Sequence, residues 1–294
     1  MFTQIELFDK NEKLTVMPFK LQLLKWVGNK QRFAHEIISY FPVEFNRYIE
    51  PFLGSGTVLA TLSPKKAVGS DIFKPLMKIW KTLRDNPAEL KKWYSDRWRI
   101  AHSDQKKEGY EKIKASYNNC PNGADLLFLC RSCYGGVVRF RKSDGYMSTP
   151  CGVHNPIHSD AFSKRTDIWH ERTKGAEFIE LHYEEAMSMA KLGDLIYCDP
   201  PYSHSQRILY RGQEFNFSHL LQIIEECKKR GVYIALSIDG TKKSGGLICD
   251  LPIPKNLFER EIFVNCGRSM LKRFQMGGKS LENEVVADRL LLTY

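Results

Sequence analysis

Gly193-Asp194-Leu195-Ile196-Tyr197-Cys198-Asp199-Pro200-Pro201-Tyr202 decides how this chain of 294 residues is read. Residues 195–198 are a short apolar run opened by a Gly-Asp turn, the pattern of a strand buried on both faces. An acid stands where that strand ends, followed by two prolines and an aromatic ring. Proline lacks an N–H and fixes φ, so the carbonyls of this segment point in set directions. One anionic acceptor, one or two backbone acceptors and one flat face suit a planar aromatic amine gripped by its NH2 group. Asp-Pro and Pro-Pro are also common turn dipeptides, so the tetrapeptide alone leaves a plain turn open.

Other strand ends carry matching features. Tyr48 to Leu53 reads as an apolar strand, and Glu50-Pro51-Phe52-Leu53-Gly54-Ser55-Gly56 closes it with glycines that allow a sharp turn and close approach of a ligand. Ala67 to Asp71 reads as a second strand ending on an acid, where a carboxylate accepts hydrogen bonds from ribose hydroxyls. A Gly-rich turn or a post-strand acid can also be purely structural. Half of a GxGxxG pattern implies no dinucleotide; Glu-Pro-Phe before the glycines favours a nucleoside without a pyrophosphate, which S-adenosylmethionine satisfies.

Further strands are expected at Glu177 to Leu181, Val232 to Ile238, Glu261 to Val264 and Asp288 to Thr293. Helices are expected at Gln31 to Phe41, Phe73 to Arg84, Ala88 to Ile100, Tyr110 to Tyr117, Asp125 to Cys133, and from Phe217-Ser218 to Arg230. Strands alternating with helices predict a parallel, doubly wound α/β sheet. About 100 residues of insert separate its second and third strands.

Composition is ordinary for a globular protein, at 43% hydrophobic and 27% charged residues. No run of about 18 apolar residues exists, so no membrane span is expected. Met1 to Lys20 has no apolar stretch of a signal peptide. The eight cysteines are therefore expected as reduced thiols, in a cytoplasmic protein. The net charge is +10, and Ile72 to Gly175 holds 20 Lys+Arg against 11 Asp+Glu, leaving 24 against 23 elsewhere. A basic middle between near-neutral flanks points to a polyanion, set against a merely solvated lysine-rich surface. Tyr134 to Asn155 reads as loops and a hairpin turning at Ser143-Asp144-Gly145. Cys130-x-x-Cys133, with Cys120, Cys151, His154 and His158 nearby, fits no standard zinc spacing, and no metal is expected.

Lys25-Trp26-Val27-Gly28-Asn29-Lys30, Glu50 to Gly56, Asp71 and Asp199-Pro200-Pro201-Tyr202 stand in this order. With them the chain resembles the alpha group of adenine-specific (N6) DNA methyltransferases, which includes Dam enzymes and many restriction–modification methyltransferases. The likeness spans Leu24 to Tyr294. It implies a Rossmann-like, S-adenosyl-L-methionine-dependent methyltransferase sheet, mostly parallel with one antiparallel strand near the C-terminus. Residues 1–75 and 176–294 would form that catalytic domain, and residues 76–175 an inserted, mainly helical target-recognition domain.

By the same resemblance, Trp26, Lys30, Glu50, Pro51, Phe52, Gly54, Gly56, Asp71 and Asp199 would line the cofactor site, with Asp71 on the ribose. Asp199, Pro200, Pro201 and Tyr202 would carry catalysis. Arg131 to Phe140 is similar to the stretch leading into the family's DNA-reading hairpin. Tyr134 would be the wedge pushed into the duplex and Arg139 the guanine reader, with Arg141, Lys142 and Tyr146 as further DNA contacts. Cys130 and Gly135 stand where the family has Asn, and the second departure bears on the wedge. Ala235 to Asp239, Arg268-Ser269-Met270 and Gly277-Gly278 match the family loosely.

The implied activity is methyl transfer to the N6 amino group of an adenine flipped out of double-stranded DNA. The enzyme would be the modification half of a restriction–modification system, whose endonuclease acts separately, or a Dam-like orphan of a prokaryote, phage or plasmid. The rivals are an RNA or protein-amide methyltransferase, which usually carries Asn at the place of Asp199, and a DNA-binding protein without catalysis.

Overall fold

Alternate residues of the apolar runs face opposite sides of one sheet, and both sides are covered. On β1 (Tyr48–Glu50), β2 (Ala67–Asp71), β3 (Ala176–Glu180), β4 (Leu195–Cys198) and β5 (Tyr233–Asp239), one cluster takes Tyr48, Ala67, Phe178, Leu195, Tyr197 and Ala235. The other takes Ile49, Val68, Ile196, Cys198, Ile234 and Leu236. This is the burial a parallel sheet between two helical layers requires. The computed structural model describes residues 13–103, 105–201, 215–239, 241–242, 247–248, 253–265 and 287–294. Tyr202, Arg268-Ser269-Met270 and Gly277-Gly278 lie outside them.

A minor pair, β6 (Thr241–Lys242) and β7 (Leu247–Ile248), stands apart from the sheet, and β8 (Arg260–Asn265) and β9 (Ala287–Leu292) complete it. The seven-stranded order is β3-β2-β1-β4-β5-β9-β8. β1 through β5 pair in parallel. β9 is antiparallel to both β5 and β8, so it alone runs against the others, as expected. The winding reverses between β1 and β4, the place where open α/β sheets bind ligands. β1 stops at Glu50 rather than reaching Leu53, because Pro51 has no N–H for the ladder.

α1 (Ala34–Ile38) is shorter than the expected Gln31 to Phe41, its flanks tightening into i→i+3 turns such as Phe33 N to Lys30 O at 3.0 Å and Phe41 N to Ile38 O at 3.0 Å. α2 (Thr57–Leu62) follows the glycine turn, and α3 (Lys74–Asp85) follows β2. α4 (Pro87–Ser103), α5 (Lys106–Asn119), α6 (Gly123–Ser132) and α7 (Ser159–Arg172) then fill the long connection to β3. Their buried side chains, including Tyr94, Tyr110, Phe128, Phe162 and Trp169, belong to the same core as one face of the sheet. α8 (Tyr183–Ser188) and α9 (Phe217–Lys229) contribute to the opposite cluster. Asn122 and Asn216 cap α6 and α9, accepting from Asp125 N at 2.8 Å and His219 N at 3.1 Å. α7 and α8 are not among the expected helices.

The segment before Trp26 is tied into these connection helices. Arg131 Nη1 donates to Gln22 O and Leu23 O, both at 2.9 Å. Arg165 Nη1 donates to Gln22 O and Trp169 Nε1 to Leu21 O, each at 2.8 Å. Among the described residues no helix is long and apolar enough to cross a membrane.

Candidate active site

The chain turns sharply after β1 because two glycines adopt left-handed backbone. Gly54 has φ +45° and Gly56 φ +59°. A Cβ on Gly54 would stand 3.2 Å from the Trp26 ring, and one on Gly56 would stand 3.1 Å from the Trp80 ring. Trp80 Nε1 also donates to Gly54 O at 3.2 Å. The turn is thus pressed between two indoles, and its left-handed backbone would strain any residue with a Cβ.

Asp71, at the end of β2, holds this turn from below. Its carboxylate accepts from Gly54 N at 3.2 Å and Phe73 N at 3.0 Å. Burial pushes it up to about 6, against the backbone N–H groups that favour its charge. Glu50, the last residue of β1, accepts from Tyr48 OH at 2.9 Å and Leu59 N at 3.0 Å. Burial pushes Glu50 up to about 8, with the nearby Asp199 charge acting in the same direction.

β4 delivers Asp199 to the same place from the other side of the switch point. Trp26, Lys30, Glu50, Phe52, Gly54 and Asp199 all line one cleft. Lys30 Nζ lies 3.1 Å from Asp199 Oδ1 and 3.0 Å from Asp288 Oδ2. Its side chain is 5% exposed and those of Asp199 and Asp288 are 17% and 11% exposed, so this is a buried ion cluster rather than a surface pair. Burial opposes the ammonium's charge, yet the two carboxylates hold its pKa well above the ordinary lysine value. Phe52 is backed by Tyr183, stacked at 5.2 Å between centroids, and by Phe215, edge-on at 5.9 Å. Pro200 is buried and Pro201 half-buried, directly after Asp199.

The expected site residues therefore fall into two groups. Trp26, Lys30, Glu50, Phe52, Gly54 and Asp199 meet at the cleft, with Pro51 and Gly56 in the same turn and Asp71 beneath it. Tyr134, Arg139, Arg141, Lys142 and Tyr146 gather on the surface of the long connection, away from that lining. Phe140 and Met147 bridge an antiparallel hairpin, and Gly145 N donates to Arg141 O at 2.9 Å across its turn. Strand alternation buries Val138, Phe140 and Met147 and turns Arg139, Arg141 and Tyr146 outward. The Arg141 guanidinium lies 4.1 Å over the Tyr146 ring and 3.1 Å from Asp144. Gly135 has φ +66°, the left-handed conformation that Gly and Asn share, so replacement of the family's Asn keeps the turn. An aromatic file joins the two groups: Trp26 meets Phe73 at 6.2 Å, and Phe73 meets Phe140 at 5.6 Å.

Sequence reasoning missed Trp80, Tyr183 and Asp288. Trp80 sits in an expected helix where it reads as ordinary core, and Tyr183 opens α8, where no helix is expected. Asp288 is 258 positions from Lys30, and no local spacing signals that pair. The cysteines at 120, 130, 133 and 151 are free thiols, and no group of three or more His, Cys, Asp or Glu among the described residues could hold a metal.

A sequence model of the family described as D12 class N6 adenine-specific DNA methyltransferase matches residues 26–265. Type II methyltransferase M1.LlaDCHI of Lactococcus lactis subsp. cremoris is 24% identical, over 85% of this chain and 90% of its own length. The Retron Ec67 DNA adenine methylase of Escherichia coli is 28% identical, over 84% and 87% of the two chains. A DNA adenine methylase of Vibrio cholerae is 26% identical, over 73% and 79%.

Proposed function

Since the chain belongs to the D12 class of N6 adenine-specific DNA methyltransferases, we propose that it methylates adenine at one short duplex sequence, with Asp199 as the group that grips the base. The observation that carries this is the meeting of Asp199 with the Gly54–Gly56 turn across one cleft at the switch point of the sheet.

The methyl donor fits S-adenosyl-L-methionine. The turn leaves little space for a Cβ, so a ligand can lie against backbone, while Trp26 and Phe52 offer rings at the cleft; Asp71, buried beneath the turn on Gly54 N, would take the ribose. Glu50 adds a buried carboxyl suited to a cationic ligand. Trp26, Lys30, Glu50, Pro51, Phe52, Gly54, Gly56, Asp71 and Asp199 would hold the donor, which supplies, when bound, a methyl group on a positively charged sulfur.

The chain's own residues must solve a nucleophile problem. The amino nitrogen of adenine is weak because its lone pair is delocalised into the ring. Inside a duplex it is also stacked and paired, and extrusion costs a few kcal/mol. Tyr134 would enter the gap, and Tyr202 would stack on the extruded base, worth roughly 1–3 kcal/mol. The Asp199 carboxylate and the Pro200 carbonyl would accept the two amino hydrogens. That draws the nitrogen towards tetrahedral geometry and localises its lone pair. Positive charge would grow on nitrogen as its bond to the methyl carbon replaces that carbon's bond to sulfur, whose electron pair stays on a neutral thioether, and a carboxylate fixed beforehand would stabilise it. One of the two amino protons then leaves, and the acceptor holding it is Asp199.

A division of labour along the chain belongs to the same proposal. Residues 1–75 and 176–294 would carry catalysis. Residues 76–175, with Arg139 as guanine reader and Arg141, Lys142 and Tyr146 as companions, would select the site on double-stranded DNA. The enzyme would serve as an orphan or as the modification half of a pair whose endonuclease acts separately.

Expression in a host free of adenine methylation, followed by direct sequencing of its DNA, tests this reading. N6-methyladenine should appear at one recurring sequence, and Asp199→Ala should erase it while donor and DNA binding persist. A folded wild-type protein that leaves no N6-methyladenine, or an Asp199→Ala variant that marks DNA at the wild-type rate, would overturn it.

A further inference from the structure

The ion cluster holds one more carboxylate than a simple pair needs. Lys30 Nζ is 3.1 Å from Asp199 and 3.0 Å from Asp288, with all three side chains largely buried. Asp288 sits on β9, the one reversed strand of the sheet, opposite Asp239 of β5 and Val264 of β8 in register. Tyr197 of β4 also faces Lys30 electrostatically, and Glu50 of β1 faces Asp199. The Phe33 ring lies 5.9 Å from the ammonium.

The charges have a consequence for the reaction. An ammonium beside Asp199 fixes that carboxylate and favours its ionised form. Taken alone, it also cancels the negative charge that a nitrogen becoming cationic requires. A second carboxylate on the same ammonium restores a net charge of −1 to the trio. Salt screens buried charges weakly, so the Asp288 charge still acts on Asp199 across the ammonium.

We propose that Asp288 is a positioning residue for methyl transfer: through Lys30 it orients Asp199 and keeps the site net negative where the amino nitrogen gains charge. This rests on the reading of Asp199 as the base-gripping acid. Lys30 serves as a bridge whose charge is balanced from β9, so its presence costs the site none of its anionic character. The reversed strand thereby acts on the reaction without touching the base.

The test is single-turnover methylation of a duplex oligonucleotide carrying the site, at saturating donor, across pH 5 to 9. Asp288→Asn should lower the rate of the methylation step by about 10- to 100-fold with DNA and donor affinities within threefold of wild type. It should also move the acid limb of the rate profile to lower pH, because one negative charge near Asp199 is gone. Asp288→Glu, which keeps the charge, should stay within about threefold of wild type.

A rate unchanged by Asp288→Asn would overturn the proposal. So would an equal loss in Asp288→Glu. If Asp288→Asn fails to fold, the Asp288→Glu rate, judged against wild type, still decides. Failure of wild-type protein to methylate adenine would instead strike the assignment of Asp199, so the two failures are distinguishable.

Discussion

At the level of single residues, burial governs the protonation of Glu50, whereas neighbouring carboxylates govern that of Lys30. Glu50 is pushed from 4.5 up to about 8. An acid whose folded pKa lies above its unfolded value holds its proton more tightly when folded. Its contribution to stability is therefore complete below about 4.5 and is lost as pH rises to about 8. Glu50→Gln, which keeps an oxygen for the Tyr48 hydroxyl and Leu59 N–H, should escape that loss. Its melting temperature relative to wild type should rise between pH 5 and pH 9, by roughly 2–4 °C for each kcal/mol involved. A constant offset across that range would show that Glu50 does not titrate there. The same proton links to ligand binding: a cationic donor favours ionised Glu50. Affinity for S-adenosylmethionine should therefore tighten from pH 6 to pH 8 in wild type and stay flatter in Glu50→Gln, as read by calorimetry.

Elements place these residues, and their ends were largely legible. The strands around residues 48–50, 67–71 and 195–198 announce themselves as apolar runs closed by Gly, Asp or Pro, which is local chemistry. The hairpin closed at Ser143-Asp144-Gly145 was legible for the same reason. Gly54→Ala tests the turn after β1. With φ +45° and Trp26 3.2 Å from the added methyl, it should weaken donor binding at least tenfold while the far hairpin still folds, which donor titration and limited proteolysis would separate. At the hairpin, Arg139→Ala should cost about 1–3 kcal/mol of discrimination between cognate and mismatched duplexes with little change in melting temperature. Phe140→Ala, removing a ring packed on Phe73 and Tyr117, should instead lower stability by roughly 3–5 kcal/mol, read from denaturant midpoints. α7 escaped sequence reading because Phe162, Thr166 and Trp169 bury a narrow stripe amid charged residues, which resembles a solvated face. Arg131 stands in the stretch likened to a DNA-reading loop, yet it is buried and spends Nη1 on two backbone carbonyls. Only tertiary contact reveals that use.

The molecule as a whole couples an evenly charged sheet to a basic helical region. Residues 72–175 carry nearly all of the net positive charge. Duplex binding should fall steeply with salt, on the order of 10³-fold between 50 and 200 mM if six or more phosphates are contacted. A slope near zero in log affinity against log salt would remove the polyanion from the account. Charge asymmetry is visible in composition, whereas the bond between the two ends of the described chain is not. Lys30 and Asp288 meet only because β9 is threaded back between β5 and β8, and no window of sequence holds both.

The tie between residues 21–23 and the helices α6 and α7 bears on re-engineering specificity. Guanidinium and indole groups from the middle of the chain satisfy carbonyls just ahead of Trp26. A chimera that borrows residues 76–175 from a relative with another recognition sequence would strip those carbonyls of their donors. Grafts that carry the donor's counterpart of residues 19–25 along with the borrowed module should keep the tryptophan seated, and those that do not should bind DNA but lose the methyl donor.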